Sequence, residues 1–359
     1  MKYKKIVVKI GTSVLAKSDG SIDNGAIERL VSQVSRLLDK GIRVVIVTSG
    51  AICAGRGILK STSGSLSDLQ AMASVGQGEL MHLYSRAFKK KNYLIGQILL
   101  TQDDFDDRRR YLNIKYTLES LLAKKIVPIV NENDTVSTEE IKLGDNDRLS
   151  GLVADLAGAD SLIILTDVEG LYGADGNVIR TVENISGEIK RLVNKKRLAF
   201  TKGGMATKID AAERAVRSGI CCFIASARTE NVLSGILGGK APCTYFKAKT
   251  VVAKAKKRWI AYSSKVKGKI VVDDGAKKAL AGGHKSLLTS GITGKEGSFK
   301  AGDVIDIADS RGREFARGLV NYSSKEIERI KGLKTGEIES VLGYKDHDEA
   351  VHRDNLVIL

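Results

Sequence analysis

Short apolar runs alternate with amphipathic helical segments through the first two thirds of the chain, and this alternation leaves few folds open. The β-branched run at residues 6–10 predicts a strand, apolar residues at helical spacing follow at 25–40, and a second apolar run covers 42–47. A strand, a helix and a strand in close succession favour a right-handed parallel unit. Further predicted strands fall at residues 94–100, 126–130, 161–165 and 220–224. We therefore expect an α/β fold of three layers (α/β/α), with an open, mainly parallel sheet covered by helices on both faces.

Polar residues stand at the ends of several of these predicted strands. Lys9, Ser49, Asn131 and Thr166 all fall at such positions. In open α/β sheets, ligands bind outside the carboxyl ends of the strands. The pattern therefore predicts a ligand site at that edge of the sheet.

Lys9 lies inside the first apolar run, where an ammonium group is costly unless an anion meets it. Gly11 allows the backbone to approach a ligand closely, and Thr12 and Ser13 add hydroxyl donors. These residue types suit a phosphate. On this stretch alone, a lysine that extends its ammonium from an edge strand into solvent explains the pattern equally well.

A second cation follows a glycine turn. Lys208 lies one turn into a helix predicted over residues 205–217, directly after Gly203 and Gly204. Free N–H groups at a helix N-terminus suit phosphate, although a glycine cap before a surface helix gives the same pattern. The chain contains neither GxxxxGK[ST] nor GxGxxG, which argues against a P-loop and a dinucleotide fingerprint.

Two polar clusters complete the set of candidate residues. Asn133 and Asp134 follow one strand, and Asp145, Asn146 and Asp147 form a second cluster before a helix predicted at 149–157. Amides and carboxylates together recognise a zwitterion, because an ammonium needs acceptors and a carboxylate needs donors. Each cluster alone also reads as a simple turn. Asp167, at a strand end, is a candidate for organising a metal-bound nucleotide.

Glycines and charges predict two interruptions in the helical pattern. A helix over residues 67–91 is expected to break at Gly76 and Gly78, because glycine weakens a helix interior. The strongly charged segment 103–110 is predicted to be an exposed loop.

Length and composition bound the remaining choices. A chain of 359 residues should hold two domains, and no apolar run is long enough to cross a membrane. The four cysteines show no CxxC spacing and the four histidines no metal-binding cluster, so we expect reduced thiols, no protein-held metal and a cytoplasmic location. The net charge of +16 suits an enzyme that handles anions as well as a nucleic-acid binder.

The pattern changes towards the C-terminus. Between Asn231 and Val272 there are ten Lys or Arg and no acidic residue, so this stretch predicts either a basic linker or a basic surface patch. From about residue 267 onward, short β-rich segments alternate with glycine turns, which predicts a small, mostly β second domain.

Five motifs in register give the chain a resemblance to a known family. They are Val8-Lys9-Ile10-Gly11-Thr12-Ser13, Val47-Thr48-Ser49-Gly50-Ala51, Val130-Asn131-Glu132-Asn133-Asp134, Gly144-Asp145-Asn146-Asp147 and Gly203-Gly204-Met205-Ala206-Thr207-Lys208. In order and spacing this set resembles the amino-acid kinase family, in particular its members that act on free glutamate. The C-terminal part resembles a PUA domain. The resemblance implies an amino-acid kinase domain at 1–250, a basic linker at 251–266 and a PUA-like β domain at 267–350.

The resemblance implies transfer of the ATP γ-phosphoryl group to the side-chain carboxylate of L-glutamate, the first step towards proline, with Mg²⁺ bound through the phosphates. Lys9 and Lys208 would contact the transferring group, and Asp147 would orient them. Implied substrate-binding residues are Ser49, Gly50, Asp134, Asp145 and Asn146. Implied nucleotide-binding residues are Lys9, Gly11, Thr166, Asp167, Lys202, Gly203, Gly204, Met205, Ala206, Thr207 and Lys208.

The same resemblance implies a homo-oligomer (a dimer or tetramer) and feedback inhibition by proline near residues 132–142. One departure is Thr201-Lys202, where the family commonly has Gly-Thr; this leaves the nucleotide contacts open. A relative acting on acetylglutamate, aspartate or carbamate is the first alternative. RNA binding through the PUA-like domain and its basic segment is the second and less favoured one.

Overall fold

The apolar runs of the first part of the chain become strands of one eight-stranded sheet in the computed structural model. The structure describes residues 3–17, 20–60, 64–136, 145–195, 204–248, 260–261, 266–282 and 285–359. The chain divides into two units, Met1–Val251 and Val252–Leu359, and each unit contains its own sheet and apolar core.

The elements of the first unit alternate much as the hydrophobic pattern predicts. Its strands are β1 Lys5–Ile10, β2 Arg43–Thr48, β3 Ile95–Leu100, β4 Val127–Glu132, β5 Ser161–Thr166, β6 Thr181–Val182, β7 Cys221–Ser226 and β8 Thr244–Phe246. Its helices are α1 Thr12–Leu15, α2 Asn24–Asp39, α3 Ala51–Leu59, α4 Leu66–Lys89, α5 Gln102–Asp106, α6 Arg108–Ala123, α7 Asp145–Ala157, α8 Gly187–Lys195, α9 Met205–Arg217 and α10 Val232–Leu237.

The strand order is β3-β4-β2-β1-β5-β7-β8-β6, and β1 lies near the centre. Every pairing is parallel except that of β7 with β8, so the expected mainly parallel open sheet is confirmed. Lys9 is in register with Val47 on one side and with Ile164 on the other. The carboxyl ends of β1, β2 and β5 therefore meet at one edge of the sheet.

The helix that glycine was expected to interrupt is continuous, and so is its neighbour α3. Helix α4 runs without a break through Gly76 and Gly78, and α3 runs through Gly55. At Gly76 an added Cβ would lie 1.9 Å from the carbonyl oxygen of Ala51, and at Gly55 one would lie 1.8 Å from that of Met72. Gly55 and Gly76 thus allow two helix backbones to touch, and the expected break was wrong because the close packing outweighs the low helix propensity of glycine.

The segment 103–110, expected to be a loop, instead holds the end of α5 and the start of α6. Thr101 and Asp104 form a capping box at the start of α5, and Asp107 accepts a hydrogen bond from the backbone N–H of Arg110 at 2.8 Å. The charges of this segment therefore serve as helix caps, which is why a prediction from polarity alone was wrong.

The second unit is a small mixed sheet with three short helices among its described residues. Its strands are β9 Gly268–Val272, β10 Ile292–Gly297, β11 Val304–Ala308, β12 Glu314–Leu319 and β13 Leu356–Ile358, in the order β10-β9-β11-β12-β13. Its helices are α11 Asp274–Ala281, α12 Ser324–Ile330 and α13 Ile338–Leu342. A mostly β second domain is confirmed, and its sheet takes in β13, beyond residue 350.

Much of the stretch expected to be a basic linker lies outside the described residues, and the domain limits 1–250, 251–266 and 267–350 stay predictions. Within the larger basic segment 231–272 the structure places α10 and β8, so part of that segment is folded rather than linker. Across the described parts of the chain, no helix is long and apolar enough to span a membrane.

Candidate active site

Lys9 is buried at the carboxyl end of the central strand. Its side chain is 5% exposed, and its Nζ lies 2.5 Å from Oδ1 of Asp147. An anionic partner is what a buried ammonium requires, so the alternative of a lysine extended into solvent from an edge strand does not hold.

Asp147 is the residue on which the site converges. It lies in the first turn of α7, which begins at Asp145, so the cluster 145–147 is helical rather than a turn before a helix at residue 149. An acidic residue is favourable in a first helical turn because it meets the positive end of the helix dipole. The Asp147 side chain is 1% exposed.

Helix α9 supplies the other partners of this carboxylate. Lys208 Nζ lies 3.1 Å from Oδ2 of Asp147, and the Thr207 hydroxyl donates to the same oxygen at 2.6 Å. The helix starts after Gly204, as the sequence predicts. One carboxylate therefore receives Lys9 on one oxygen and Lys208 on the other, which brings two lysines distant in sequence into one site.

Burial and charge oppose each other in this cluster. Burial lowers the pKa of Lys9, the attraction of Asp147 opposes that fall, and Lys208 adds to it, so the pKa lies below the usual lysine value. Burial alone would raise the pKa of Asp147, but Lys9 and Lys208 outweigh it and keep that pKa below its usual value. With both lysines protonated and Asp147 ionised, the three side chains carry a net charge of about +1, which suits an anionic ligand.

Amide side chains lie beside the charged cluster. Asn146 Nδ2 donates to Ser49 Oγ and to Asn131 Oδ1, both at 3.1 Å. Asn131 Nδ2 donates in turn to Gln77 Oε1 at 2.7 Å. Ser49 follows β2, Asn131 belongs to β4 and Gln77 to α4, so the network joins the ends of two strands to two helices.

Two glycines shape the backbone around these groups. Gly50 adopts the left-handed conformation (φ +107°) at the start of α3, where a side chain would be strained. At Gly11, an added Cβ would lie 3.6 Å from Lys9 Nζ. A side chain at residue 11 would therefore contact the Lys9 ammonium directly.

Thr166 ends β5 and Asp167 follows it, and the Thr166 hydroxyl donates to Asp167 Oδ1 at 2.9 Å. Both line a cavity of about 680 Å³ beyond the carboxyl ends of β5 and β7. Its lining also includes Ser13, Arg36 and Arg228. A volume in this range is typical of small-molecule sites.

For the remaining predicted site residues, the structure gives the position in the fold or does not describe them. Asp134 lies partly buried in the turn after β4, and Met205 and Ala206 form the start of α9. Asp145 is the first residue of α7. Lys202, Gly203 and Gly144 lie outside the described residues, as does most of the segment to which proline inhibition was assigned.

Sequence reasoning missed Gln77 and assigned Thr207 only to the nucleotide. Gln77 lies inside α4, far in sequence from every strand-end motif, so no local pattern marks it. Thr207 precedes Lys208, and the hydrogen bond that it makes to Asp147 depends on how α7 and α9 pack. Among the described residues, no cluster of three or more His, Cys, Asp or Glu side chains could hold a metal ion.

Comparison with known proteins defines the class. The model of the amino acid kinase family matches residues 4–226, more than half of the chain, and the model of the PUA domain matches residues 268–342. A solved carbamate kinase from Giardia lamblia, bound to AMP-PNP, aligns with a TM-score of 0.51 at 16% identity. The alignment covers 69% of this chain and 99% of that one, and at this identity it supports the fold alone. The family match places the chain among the amino acid kinases.

Relatives that align over the full chain show which kind of amino acid kinase it resembles. Glutamate 5-kinase of Caldanaerobacter subterraneus subsp. tengcongensis is 47% identical, and the alignment covers 99% of this chain and 98% of that protein. Glutamate 5-kinase of Moorella thermoacetica is 46% identical, with 99% and 96% covered. The chain belongs to the glutamate 5-kinase family.

Proposed function

We propose that this protein transfers the γ-phosphoryl group of ATP to the side-chain carboxylate of L-glutamate and forms L-glutamyl 5-phosphate. The observation that carries the proposal is the pairing of Lys9 and Lys208 on the two oxygens of buried Asp147. The family, with glutamate 5-kinases as relatives over the full chain, supports this choice of substrate.

The nucleophile needs no catalytic base. A side-chain carboxylate is ionised near neutral pH, so it attacks phosphorus without losing a proton. The main requirements are alignment and neutralisation of the charge on the transferring oxygens. A site rich in ammonium groups and without a catalytic histidine fits that chemistry.

The two lysines would supply the neutralisation. Asp147 limits the positions of both ammonium groups, and their net positive charge is directed to the transferring phosphoryl group. Mg²⁺ enters with ATP as part of the substrate and usually keeps waters and phosphate oxygens as ligands, so few protein ligands are needed. Asp147 thus acts as the positioning residue for two cations.

Glutamate is assigned to the polar groups beside that cluster. Ser49, Gly50 and Asn146 lie together. Asp134 and Asp145 are assigned to the same site because they lie close in sequence to Asn131 and Asn146. The amides and carboxylates offer acceptors for the ammonium and donors for the carboxylate of the substrate.

The nucleotide is assigned to the other side of the lysines. Gly11 follows β1, Thr166 and Asp167 stand at the end of β5, and the assigned segment 202–208 includes the start of α9 at Met205. Support comes from the cavity of about 680 Å³ against Thr166 and Asp167 and from Gly11, where a side chain would contact the Lys9 ammonium.

A direct assay tests the proposal. Purified full-length protein is supplied with ATP, Mg²⁺ and L-glutamate, ADP release is followed, and the acyl phosphate is trapped with hydroxylamine as a hydroxamate. We expect both ADP and hydroxamate to form with L-glutamate. Parallel assays use acetylglutamate, aspartate and carbamate, and turnover of only one of those acids would overturn the choice of substrate.

Further properties that the resemblance implies are proposed together with the kinase activity. We expect a homo-oligomer in the cytoplasm and inhibition by proline that raises the apparent KM for glutamate. Light scattering and a proline titration of the same assay test these two properties. RNA binding stays the alternative for the PUA domain; tight, salt-sensitive RNA binding by a full-length protein without kinase activity would favour it.

A further inference from the structure

The amide network beside the lysines has fixed donor and acceptor directions. The backbone N–H of Glu132 donates to Asn131 Oδ1 at 2.9 Å, and a backbone N–H can only donate. Asn131 must therefore present its oxygen to Glu132 and its nitrogen to Gln77. This orientation makes Gln77 Oε1 the acceptor and turns Gln77 Nε2 away from Asn131.

The outer ends of this network lack partners. Gln77 Nε2 and Asn146 Oδ1 are both inaccessible to solvent, and neither has a hydrogen-bond partner among the described residues. Asn146 is oriented the opposite way to Gln77, because its nitrogen faces the network and donates to Asn131 Oδ1 and to Ser49 Oγ. The network thus ends in an unused donor at Gln77 and an unused acceptor at Asn146.

Buried amide groups without partners are costly, which makes a ligand with matching polarity a physical explanation for both. An acceptor oxygen suits an ammonium group, and an N–H donor suits a carboxylate oxygen. The α-carbon of an amino acid carries both groups next to each other. The two ends of the network are therefore complementary to the α-ammonium and the α-carboxylate of one substrate molecule.

We propose that Gln77 is a substrate-positioning residue whose Nε2 donates a hydrogen bond to the α-carboxylate of the amino-acid substrate, while Asn146 Oδ1 accepts from the α-ammonium. The proposal rests on the proposed function. The side-chain carboxylate must face the phosphoryl group held by Lys9 and Lys208, and both lysines contact Asp147, the neighbour of Asn146. Gln77 is linked to Asn146 only through Asn131, so it lies further along the network from Asp147 and its lysines, and this assigns it the non-reacting carboxylate.

The test replaces the donor and keeps the packing. Gln77→Glu preserves an oxygen that accepts from Asn131 and removes both N–H groups that face the substrate. We expect the KM for glutamate to rise about tenfold or more, because a charge-assisted hydrogen bond is lost and a repulsion is added. The KM for ATP should stay within about twofold and kcat within about threefold, because neither involves the α-carboxylate. Ser74→Glu adds the same charge at an exposed position one turn earlier on α4 and should leave all three constants unchanged.

A second substrate gives a measurement that would not change if the role of Gln77 were purely structural. The analogue of glutamate whose α-carboxylate is a carboxamide keeps its reacting side chain. The wild type should prefer glutamate over this analogue in kcat/KM, and Gln77→Glu should reduce that preference about tenfold or more. Gln77→Met, which also lacks the donor, should reduce it as well, so the test does not depend on the folding of one variant.

Unchanged preference in folded variants would overturn the proposal, as would equal losses of kcat for both substrates. The thermal melting of each variant reports on folding separately. If the wild-type protein does not phosphorylate glutamate at all, the proposed function fails. If the wild type is active and the variants keep its preference, only the role of Gln77 fails.

Discussion

At the scale of single residues, the site depends on one carboxylate that lies between two cations. Asp147 is fully buried, and Lys9, Lys208 and Thr207 all contact it. Removing one partner of such a cluster leaves a buried charge poorly compensated, so the individual residues should differ in what their loss does. Two predictions separate their roles.

Lys208→Ala should lower kcat by about a hundredfold to a thousandfold, while the KM for glutamate changes little. The reason is that the ammonium group stabilises charge on the transferring phosphoryl group rather than on bound glutamate. Steady-state kinetics check this, with Lys240→Ala, an exposed lysine of the same unit, as the control. Turnover within about threefold of the wild type would contradict the role of Lys208.

The pH profile should report on Lys9. Its lowered pKa predicts that kcat/KM for ATP falls on the alkaline side at a lower pH than an ordinary lysine would give. Asp147 opposes the lowering, so in Asp147→Asn the alkaline fall should move to still lower pH. In the wild-type protein, the alkaline fall of kcat should lie at a higher pH than that of kcat/KM, since bound phosphates favour the ammonium form. Profiles from pH 6 to pH 10 for both proteins would check this, and an identical alkaline limb would contradict it.

At the scale of elements, α3 and α4 pack with their backbones in direct contact at two glycines. Gly76 sits against the backbone of Ala51 and Gly55, whereas Gly78, two residues along the same helix, has no atom within 4 Å of an added Cβ. The two positions share a helix and a residue type and differ in their surroundings. They therefore separate helix propensity from packing.

Gly76→Ala should destabilise the first unit by about 1–3 kcal/mol or more, because the added methyl group forces the two helices apart. Gly78→Ala should be neutral or stabilising by up to about 1 kcal/mol, because alanine favours a helix. Urea denaturation of both variants would measure the difference. If the two variants had equal stability, the close packing would not be the reason for glycine at residue 76.

These elements also show what sequence could and could not predict. Periodicity predicts the strands β1, β2, β4, β5 and β7, because the buried central strands of a parallel sheet are continuous apolar runs. It fails at α4, at α5 and at the start of α6, where packing of glycine and capping by Thr101 and Asp107 decide the structure. The cost of burying an ammonium group within an apolar run predicts that Lys9 belongs to the site. Periodicity cannot predict the contact of Gln77 with Asn131, which arises only when α4 packs beside β4.

At the scale of the whole molecule, the two units have separate cores. The second contains a buried carboxylate, Asp309, which accepts from Lys277 at 2.7 Å and from Arg313 Nε at 3.2 Å, and whose Oδ1 accepts from two backbone N–H groups. The hydrogen bond from Lys277, followed by those from the backbone, keeps the pKa of Asp309 well below its usual range.

Because the folded pKa of Asp309 is depressed, its contribution to stability is present above the unfolded value of about 4 and is lost as the pH falls below it. Asp309→Asn should therefore lower the unfolding midpoint of the second unit at pH 7, and the difference from wild type should shrink by pH 3. Hydrogen exchange and mass spectrometry after equilibration in urea would report on each unit separately. The first unit serves as the internal control, and a shift of its midpoint, or an equal difference at both pH values, would contradict this assignment.

The contact between α3 and α4 has a consequence for redesign of the enzyme. Gly76 precedes Gln77, so the close backbone contact of α3 with α4 and the proposed substrate-positioning residue occupy adjacent positions on one turn. A larger residue at position 76 would therefore displace Gln77 as well. Altered selectivity is therefore more accessible through exchange of the glutamine side chain than through remodelling of the helix that carries it.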